Sequence, residues 1–119
     1  PTTGGVHCAL LARTVAQQRQ GLMNRRDLGG YDGMVFEFDG AVETGFYMKD
    51  TLIPLSIAWF DASGRFLTST TMVPCPSGTV TCPSYFANAP YHFAIEVREG
   101  GLEGLGIGPG STLTVGGPC

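Results

Sequence analysis

The sequence predicts an α+β domain that is mainly β: a compact, antiparallel, barrel-like sheet of six to seven short strands with one N-terminal helix. Three observations support this prediction. Short runs of alternating or continuous apolar residues recur along the chain, as is typical of strands. One segment near the N-terminus carries a helix start signal. The chain has 18 glycines among its 119 residues, and they indicate many tight turns between the runs.

The predicted strands are all short. They are residues 6–12 (VHCALLA), 34–38 (MVFEF), 45–48 (GFYM), 55–60 (LSIAWF), 65–73 (RFLTSTTMV), 92–98 (HFAIEVR) and 111–115 (STLTV). Between the fourth and fifth runs, Asp61 and Gly64 begin and end the turn sequence DASG, which predicts a hairpin. Residues 99–105 are expected to form one helical turn.

One helix is predicted to begin at Thr14. Thr14 and Gln17 have the spacing of a capping box, in which each side chain accepts a hydrogen bond from the backbone of the other residue. Leu22 and Met23 belong to a modest apolar face. Gly21 is expected to lie inside the helix, where its small size permits close packing despite its low helix propensity.

Length and composition exclude several classes of protein. A chain of 119 residues and 12.6 kDa makes one domain, expected to span residues 6–119 after a stub, residues 1–5, left by a targeting segment. With 43% apolar and 14% charged residues, the chain is too apolar to be disordered. The net charge of −3 argues against a nucleic-acid partner, because such binding needs a basic excess. No transmembrane segment is predicted in this chain, and a lipid or signal-anchor tether in the full-length protein is compatible with it.

The four cysteines form an even set that allows three pairings. Cys75 and Cys82 bracket the turn-rich sequence PSGTVT, while Cys8 and Cys119 lie near the chain ends, so two disulfides are expected between these partners. A four-cysteine zinc site is the alternative, but structural zinc sites bring their ligands in close pairs such as C-x-x-C, which the sequence lacks. Disulfides favour an oxidising compartment. The expected location is therefore extracytoplasmic: secreted, periplasmic or tethered to the cell surface.

Standard signatures of catalysis and metal binding are absent from the sequence, and we predict no metal and no cofactor. The stretch GLGIGPGST, at residues 104–112, has the glycines of a phosphate loop but lacks its lysine, so a tight connection before the last strand is favoured. His7 and His92 have no cysteine or carboxylate at ligand spacing. Both are expected to be ordinary strand residues.

Lys49 is the only lysine, against six arginines, and lies between apolar runs in the sequence FYMKDTLIP. A charged residue among core-forming neighbours needs a partner. One interpretation is an ion pair with Asp50, Glu96 or another carboxylate that fixes a turn. The other is an ammonium group that binds an anion at the mouth of a pocket.

Glu96 presents a similar choice. In the alternating run HFAIEVR, Glu96 is expected on the opposite face of the strand from Ile95 and Val97. If that face points outward, the carboxylate is simply solvated. If both faces of the sheet are covered, Glu96 is expected to pair with an arginine or lysine.

Several motifs occur in order along the chain: RQGLMNR (19–25), GMVFEF (33–38), FYMKDTLIPL (46–55), DASGR (61–65), the pair Cys75 and Cys82 with Tyr85, and IEVREG (95–100). Together they resemble the bacterial and archaeal domain of unknown function 192 (DUF192) family, whose hallmark is GLM-x-R followed by F-W-M-K-N-T-x-I-P-L-D. The resemblance covers residues 6–115, nearly the whole chain.

Three positions depart from the family pattern. Tyr47, Asp50 and Ser56 stand where the family has Trp, Asn and Asp. The last two departures exchange one carboxylate position for another, so any ion pair of Lys49 is expected to be rewired. Many of the matching positions are apolar, which fits architecture better than catalysis. These positions are Gly21, Leu22, Met23, Arg25, Met34, Phe36, Phe46, Met48, Lys49, Thr51, Pro54, Glu96 and Gly100.

The resemblance implies a mainly β fold that is exported or lipoprotein-tethered, without assigning an activity. We expect a non-catalytic, extracytoplasmic binding or accessory module whose partner is a small polar, anionic or sugar-like ligand, or a peptide. The expected site is a groove near residues 46–51, formed by Arg25, Tyr47, Met48, Lys49, Asp50, Thr51 and Glu96.

Two alternative functions stay open at this point. One is a small hydrolase or transferase that uses Glu96 or Asp50 as acid and base, with Lys49 stabilising negative charge. The other is a structural envelope protein, which a fully packed site without a pocket would favour.

Overall fold

The computed structural model describes residues 7–75 and 81–116. Seven strands and one α-helix follow one another in these ranges. The elements are β1 (Leu10–Ala12), α1 (Val15–Gln20), β2 (Met34–Val42), β3 (Phe46–Tyr47), β4 (Leu55–Phe60), β5 (Phe66–Met72), β6 (Ser84–Tyr85) and β7 (Tyr91–Arg98), followed by a 3-10 turn at Glu103–Leu105. The mainly β composition with a single N-terminal α-helix is confirmed for the described part of the chain.

Five strands form the main sheet, in the order β1-β2-β7-β4-β5, while β3 and β6 form a separate two-stranded sheet. The pairs in the main sheet are antiparallel except for β1 and β2, which are parallel. A parallel pair needs a crossover connection, and α1 lies in that connection. Within the described residues the sheet ends at β1 and β5, so the barrel-like closure that we expected is not confirmed.

The start of α1 follows the sequence prediction and its end does not. Thr14 caps the helix: its hydroxyl accepts a hydrogen bond from the Gln17 backbone at 3.0 Å, and the Gln17 side chain accepts one from the Thr14 backbone at 3.0 Å. The helix stops at Gln20 because Gly21, with a φ of 47°, turns the chain away. Our placement of Gly21 inside the helix was therefore wrong.

The hairpin between β4 and β5 is confirmed. The Asp61 carboxylate accepts hydrogen bonds from the backbone N–H groups of Ser63 and Arg65, at 2.9 and 3.0 Å. The bond from the Arg65 backbone is the main reason that the pKa of Asp61 is lowered. Gly64 has a φ of 82°, and a side chain there would meet the Leu113 carbonyl. The turn thus uses its Asp for hydrogen bonding and its Gly for a left-handed backbone.

Two other sequence predictions were wrong. Residues 111–115 do not form a regular strand: Thr112 makes an isolated bridge with Arg65, and Leu113 donates a backbone bond to Gly64. The strand β6, in contrast, was missed. It has only two residues and no pattern of its own, and its pairing with Phe46 and Tyr47 defines it.

Alternation along the strands gives the main sheet two covered faces. We call the first the sealed face; its buried residues pack against the segment from Leu102 to Val115, and they are Val35, Ala58, Phe60, Ile95 and Val97. We call the second the cavity face; its larger set of buried residues includes Phe36, Ile57, Trp59, Met72 and Ala94. Trp59 is fully buried and lies 6.2 Å, ring to ring, from both Phe46 and Tyr91.

Cys75 and Cys82 form the expected disulfide. The loop between them, residues 76–80, lies outside the described residues, as do the predicted stub, residues 1–5, and Cys119. The proposed partnership of Cys8 with Cys119 therefore stays a prediction. Along the described part of the chain, no helix is both long enough and apolar enough to cross a membrane.

Candidate functional site

A cavity of about 500 Å³ opens on the cavity face, between α1, β2, β3 and β7. Its walls are mostly aromatic and aliphatic. The lining residues are Val15, Gln18, Arg19, Gly21, Leu22, Met23, Phe36, Phe38, Thr44, Gly45, Phe46, Tyr47, Thr51, Ser84, Tyr91 and Glu96. Small-molecule sites occupy about 300 to 1,000 Å³ and combine apolar walls with few polar groups, so this cavity has the size and composition of such a site.

Aromatic rings interlock along the walls. Phe36 lies edge-on to Phe46 with ring centres 5.1 Å apart, and Phe38 lies edge-on to Tyr91 at 5.5 Å. Edge-to-face pairs at these distances are attractive beyond the area that they bury. The rings therefore stabilise one another within the cavity wall.

Glu96 is the acidic residue of the lining, and only 4% of it is exposed. It lies on the central strand β7, opposite Met34 of β2 and Ile57 of β4. Neither neighbour offers a polar partner. Within residues 7–75 and 81–116, the Glu96 side chain makes no hydrogen bond and no ion pair.

The Glu96 carboxyl is accessible from the cavity. Of the described residues, only Trp59 has a fully sealed side-chain nitrogen or oxygen without a partner, its Nε1. The unpartnered oxygens of Glu96 are therefore not sealed in the core but face open space. Burial raises the pKa of this carboxyl from 4.5 to about 8, because the charged form loses its hydration. At neutral pH the Glu96 carboxyl is thus mainly protonated.

The other buried polar groups of the lining are satisfied. The Tyr91 hydroxyl donates to the Thr44 carbonyl, and burial raises its pKa to about 12. Gln18 donates to the Glu37 carbonyl at 2.8 Å, and the Thr51 hydroxyl donates to the Lys49 carbonyl at 3.4 Å. These groups position the walls, whereas Glu96 is left available to a ligand.

The cavity opens beside α1. Val15, Arg19, Met23 and Tyr47 line both the cavity and an adjoining open groove on the surface. All six residues of α1 are at least partly exposed, so the helix covers the opening without being embedded in the core. Arg19 places a positive charge at this mouth.

The structure brings together only some of the predicted site residues. Tyr47, Thr51 and Glu96 line the cavity, whereas Arg25 and Met48 do not. Arg25 is exposed, and Met48 is buried in the core at 1% exposure. The segment 46–51 therefore forms one part of the site rather than the whole of it.

Lys49 and Asp50 also lie outside the cavity lining. Lys49 is exposed, and its backbone forms a bridge with Cys75. Asp50 has a φ of 56°, and its carbonyl accepts a hydrogen bond from the Asn24 backbone at 2.8 Å. Both residues take part in a turn through their backbone atoms. In the described part of the chain, neither side chain forms an ion pair. The carboxylate partners that we considered for Lys49 are not observed.

The expectation for Glu96 also needs correction. Both faces of the sheet are covered, as one branch of the prediction required, yet no arginine or lysine of the described ranges pairs with Glu96. The cavity beside the carboxyl and its raised pKa remove the need for a cation, because the protonated acid carries no charge to compensate.

Sequence reasoning missed much of the wall. Phe36 and Phe38 alternate with Glu37 in the run MVFEF, so their shared face was predictable. Gln18, Arg19 and Tyr91 carried no such signal, since their approach to the cavity depends on how α1 and β7 meet. Across the residues that the structure describes, no cluster of three or more His, Cys, Asp or Glu side chains could hold a metal ion.

Two solved structures are similar to this chain over 86% of its length. One is a protein of unknown function from Novosphingobium aromaticivorans, at 33% sequence identity and a TM-score of 0.73, with 70% of that chain covered. The other is described as a proposed transcription regulator from Sinorhizobium meliloti, at 28% identity and a TM-score of 0.74, with 76% of that chain covered. No curated protein matches the chain.

The family comparison agrees with the motifs. The model of the DUF192 family, which carries the description "Uncharacterized ACR", matches residues 2–115. That range contains the GLM-x-R motif, the segment 46–55 and the strand that carries Glu96. The chain belongs to the DUF192 family.

Proposed function

We propose that this protein is an extracytoplasmic, non-catalytic binding module that takes a small, largely apolar ligand into the cavity beside α1. One observation carries the proposal: the Glu96 carboxyl is buried, faces the cavity and has no partner among the described residues. A buried carboxyl without a hydrogen-bond partner destabilises a fold, and such groups are typical of binding sites. A ligand that bonds to Glu96 would offset that loss.

The rest of the lining supports a ligand with an apolar body. Phe36, Phe38 and Phe46 offer ring surface, and burial of apolar ligand surface contributes about 25 cal/mol per Å². A structural envelope role, our third sequence hypothesis, was tied to a packed site without a pocket. An open cavity of about 500 Å³ supports binding instead.

The extracytoplasmic location is part of the proposal. The Cys75–Cys82 disulfide supports it, because such bonds persist mainly in oxidising compartments. Cell fractionation of the full-length protein from its natural host tests the location. Recovery in the cytoplasm with Cys75 and Cys82 reduced would contradict it.

One structural neighbour is described as a proposed regulator of transcription. We do not transfer that role, because a net charge of −3 provides no basic excess for DNA phosphates. The feature that stands out in this chain is a cavity, and it supports a small-molecule partner.

A second candidate function is acid–base catalysis by Glu96. A carboxyl with a pKa of about 8 exchanges protons near neutral pH, as a general acid or base requires. In this version Glu96 acts without Lys49 and Asp50, since neither residue lines the cavity. Turnover of a bound compound that is lost in the Glu96→Gln variant would favour the enzyme over the binding module.

The binding proposal is tested with two small aromatic probes, 2-phenylethanol and 2-phenylethylammonium. We expect at least one of them to shift the backbone amide resonances of cavity residues saturably, with Thr44, Phe46 and Glu96 among the affected residues. If neither of these probes nor the anionic analogue phenylacetate perturbs these resonances, the proposal fails.

A matched pair of variants locates the binding. Val15 is 66% exposed and lines the cavity mouth, whereas Val73 is 57% exposed and lies outside the lining. Val15→Trp should obstruct entry and weaken probe binding, and Val73→Trp should leave it unchanged. Equal effects of the two substitutions would place the binding elsewhere.

A further inference from the structure

The cavity combines two chemical features that belong to one class of ligand. Its walls carry aromatic rings from β2, β3 and β7, and its interior holds a single buried carboxyl. The rings are those of Phe36, Phe38, Phe46, Tyr47 and Tyr91, and the carboxyl is that of Glu96. The faces of aromatic rings carry negative potential, which attracts cations and disfavours anions.

We propose that the ligand is an organic cation: an apolar body that ends in an ammonium group, with the ammonium paired to Glu96 among the aromatic rings. This inference rests on the proposed binding function and specifies its ligand class. Aromatic cages are a recurrent solution for ammonium recognition. Here the carboxyl supplies the hydrogen-bond acceptor and the compensating charge that a buried ammonium needs.

A metal ion is a poor match for this site. Hard cations such as Ca²⁺ take six to eight oxygen ligands, whereas the lining offers one carboxylate, among mostly apolar side chains. Once Glu96 is ionised, an anionic ligand is also disfavoured, because it would lie against the carboxylate. Arg19 lines both the cavity and the adjoining groove, so its positive charge lies at the mouth.

Binding of an ammonium is coupled to loss of a proton. With its pKa at about 8, the Glu96 carboxyl is largely protonated at neutral pH before a ligand binds. An ammonium pairs with the ionised form, so binding releases the proton. Below the pKa of about 8, the affinity should therefore rise about tenfold per pH unit and level off above it.

Among the lining residues that the structure describes, Glu96 carries the one carboxyl, and His92, on the same strand, lies outside the lining. On the strands beside it, Met34 and Ile57 occupy the paired positions. Of the other lining residues, Tyr91 has its pKa raised to about 12, and Tyr47 and Arg19 lie at the mouth. The pH dependence of binding thus reports on Glu96.

Three probes of nearly equal size test the charge preference: 2-phenylethylammonium, neutral 2-phenylethanol and anionic phenylacetate. Calorimetric or NMR titration at pH 8.5 should rank the ammonium first and phenylacetate last. Pairing with a buried charged acceptor should favour the ammonium over the alcohol by about tenfold to a hundredfold. The affinity of the alcohol should not rise with pH.

The Glu96→Gln variant tests the role of this carboxyl in binding. The control is Glu99→Gln, which removes a carboxylate at an exposed position just after β7. Glu96→Gln should abolish the ammonium preference and its pH dependence while it retains binding of the alcohol. Glu99→Gln should behave like the wild type. If the Glu96→Gln variant fails to fold, the ranking of the three probes on the wild-type protein still decides.

The outcomes separate the two proposals. If the alcohol or phenylacetate binds as tightly as the ammonium, the organic-cation inference is overturned and the binding function stands. If no probe binds to the wild type, the binding function itself fails and the inference fails with it.

Discussion

The two faces of the main sheet differ, although the same strands build both. On the sealed face, Ile95 and Val97 of β7 pack against Val35 and Phe60 under the segment after β7. On the cavity face, the intervening residue Glu96 meets open space under α1. The cover of the sealed face supplies five partly buried apolar side chains between Leu102 and Val115, whereas the one partly buried residue of α1 is the polar Gln18.

The difference separates what stabilises the fold from what equips it for binding. Close packing on the sealed face yields dispersion contacts and excludes water. The cavity face forgoes some of that packing and leaves a desolvated carboxyl, which destabilises the folded state. Sites that bind ligands commonly reduce stability in this way. We therefore expect substitutions on the two faces to affect different properties.

The largest effect is expected from removal of a ring on the sealed face. Phe60 is 1% exposed, so Phe60→Ala should lower the free energy of unfolding by about 3 to 5 kcal/mol. Phe46→Ala, at a half-buried ring on the cavity wall, should lower it by less than half as much and instead weaken probe binding. Urea denaturation measures both changes. Equal losses of stability would mean that the cavity is packed as tightly as the sealed face.

Glu96 gives the next largest effect, and its sign is fixed by its pKa. The pKa rises from 4.5 in the unfolded chain to about 8 in the folded protein. Stability due to Glu96 is thus fully present below pH 4.5 and declines by about 1.4 kcal/mol per pH unit until about pH 8. Glu96→Gln removes this decline, and at pH 7 the variant should be more stable by about 3 kcal/mol.

Unfolding curves recorded across this pH range check the prediction, with Glu99→Gln as the control of equal charge. The control should retain the wild-type slope. If the free energy of unfolding changes with pH equally in the wild type and in Glu96→Gln between pH 5 and pH 8, the prediction is wrong. Glu96 would then be ionised or solvated in the folded protein.

A smaller effect is expected at the cap of α1. Thr14→Ala removes the hydroxyl that accepts from the Gln17 backbone and should destabilise the helix by about 1 kcal/mol. Because α1 lines the mouth, amide hydrogen exchange in α1 should accelerate and probe binding should weaken. Thr114→Ala, at an exposed position of the C-terminal segment, is the control. Unchanged exchange in Thr14→Ala would show that tertiary contacts alone hold the helix.

The smallest effect is expected at Lys49. Its side chain is exposed, lies outside the cavity and makes no ion pair within the described ranges. Lys49→Ala should change the free energy of unfolding by less than about 0.5 kcal/mol and leave probe binding intact. A substantial loss of binding would return Lys49 to the site and require a different position for the ligand.

Local patterns predicted the local structure well. The capping box at Thr14 and the hairpin at Asp61 depend on contacts within four residues, so the sequence contains all the information that they need. The face of Glu96 followed from strand alternation. The disulfide between Cys75 and Cys82 spans only seven positions and was predictable from the cysteine spacing.

Features that depend on distant contacts were not predictable in the same way. The segment 111–115 has the residues of a strand, but in the described part of the chain its backbone bonds reach only the β4–β5 hairpin, at Gly64, Arg65 and Phe66, and the preceding turn at Gly108. Lys49 is unusual in the sequence, yet its position at a backbone turn places it on the surface. The presence of a single lysine in an apolar run is conspicuous in the sequence, but it does not determine whether the lysine side chain points toward the core or toward solvent.

Motifs and alternation are properties of the linear chain, so they sufficed to predict a small, mainly β domain of the DUF192 family and to show which residues of β7 share a face. That Glu96 faces a cavity and has no cation beside it among the described residues depends on tertiary contacts. The reason is physical: the space around a side chain is set by how α1, β2 and β3 meet over β7, and desolvation by those elements raises the pKa of the carboxyl.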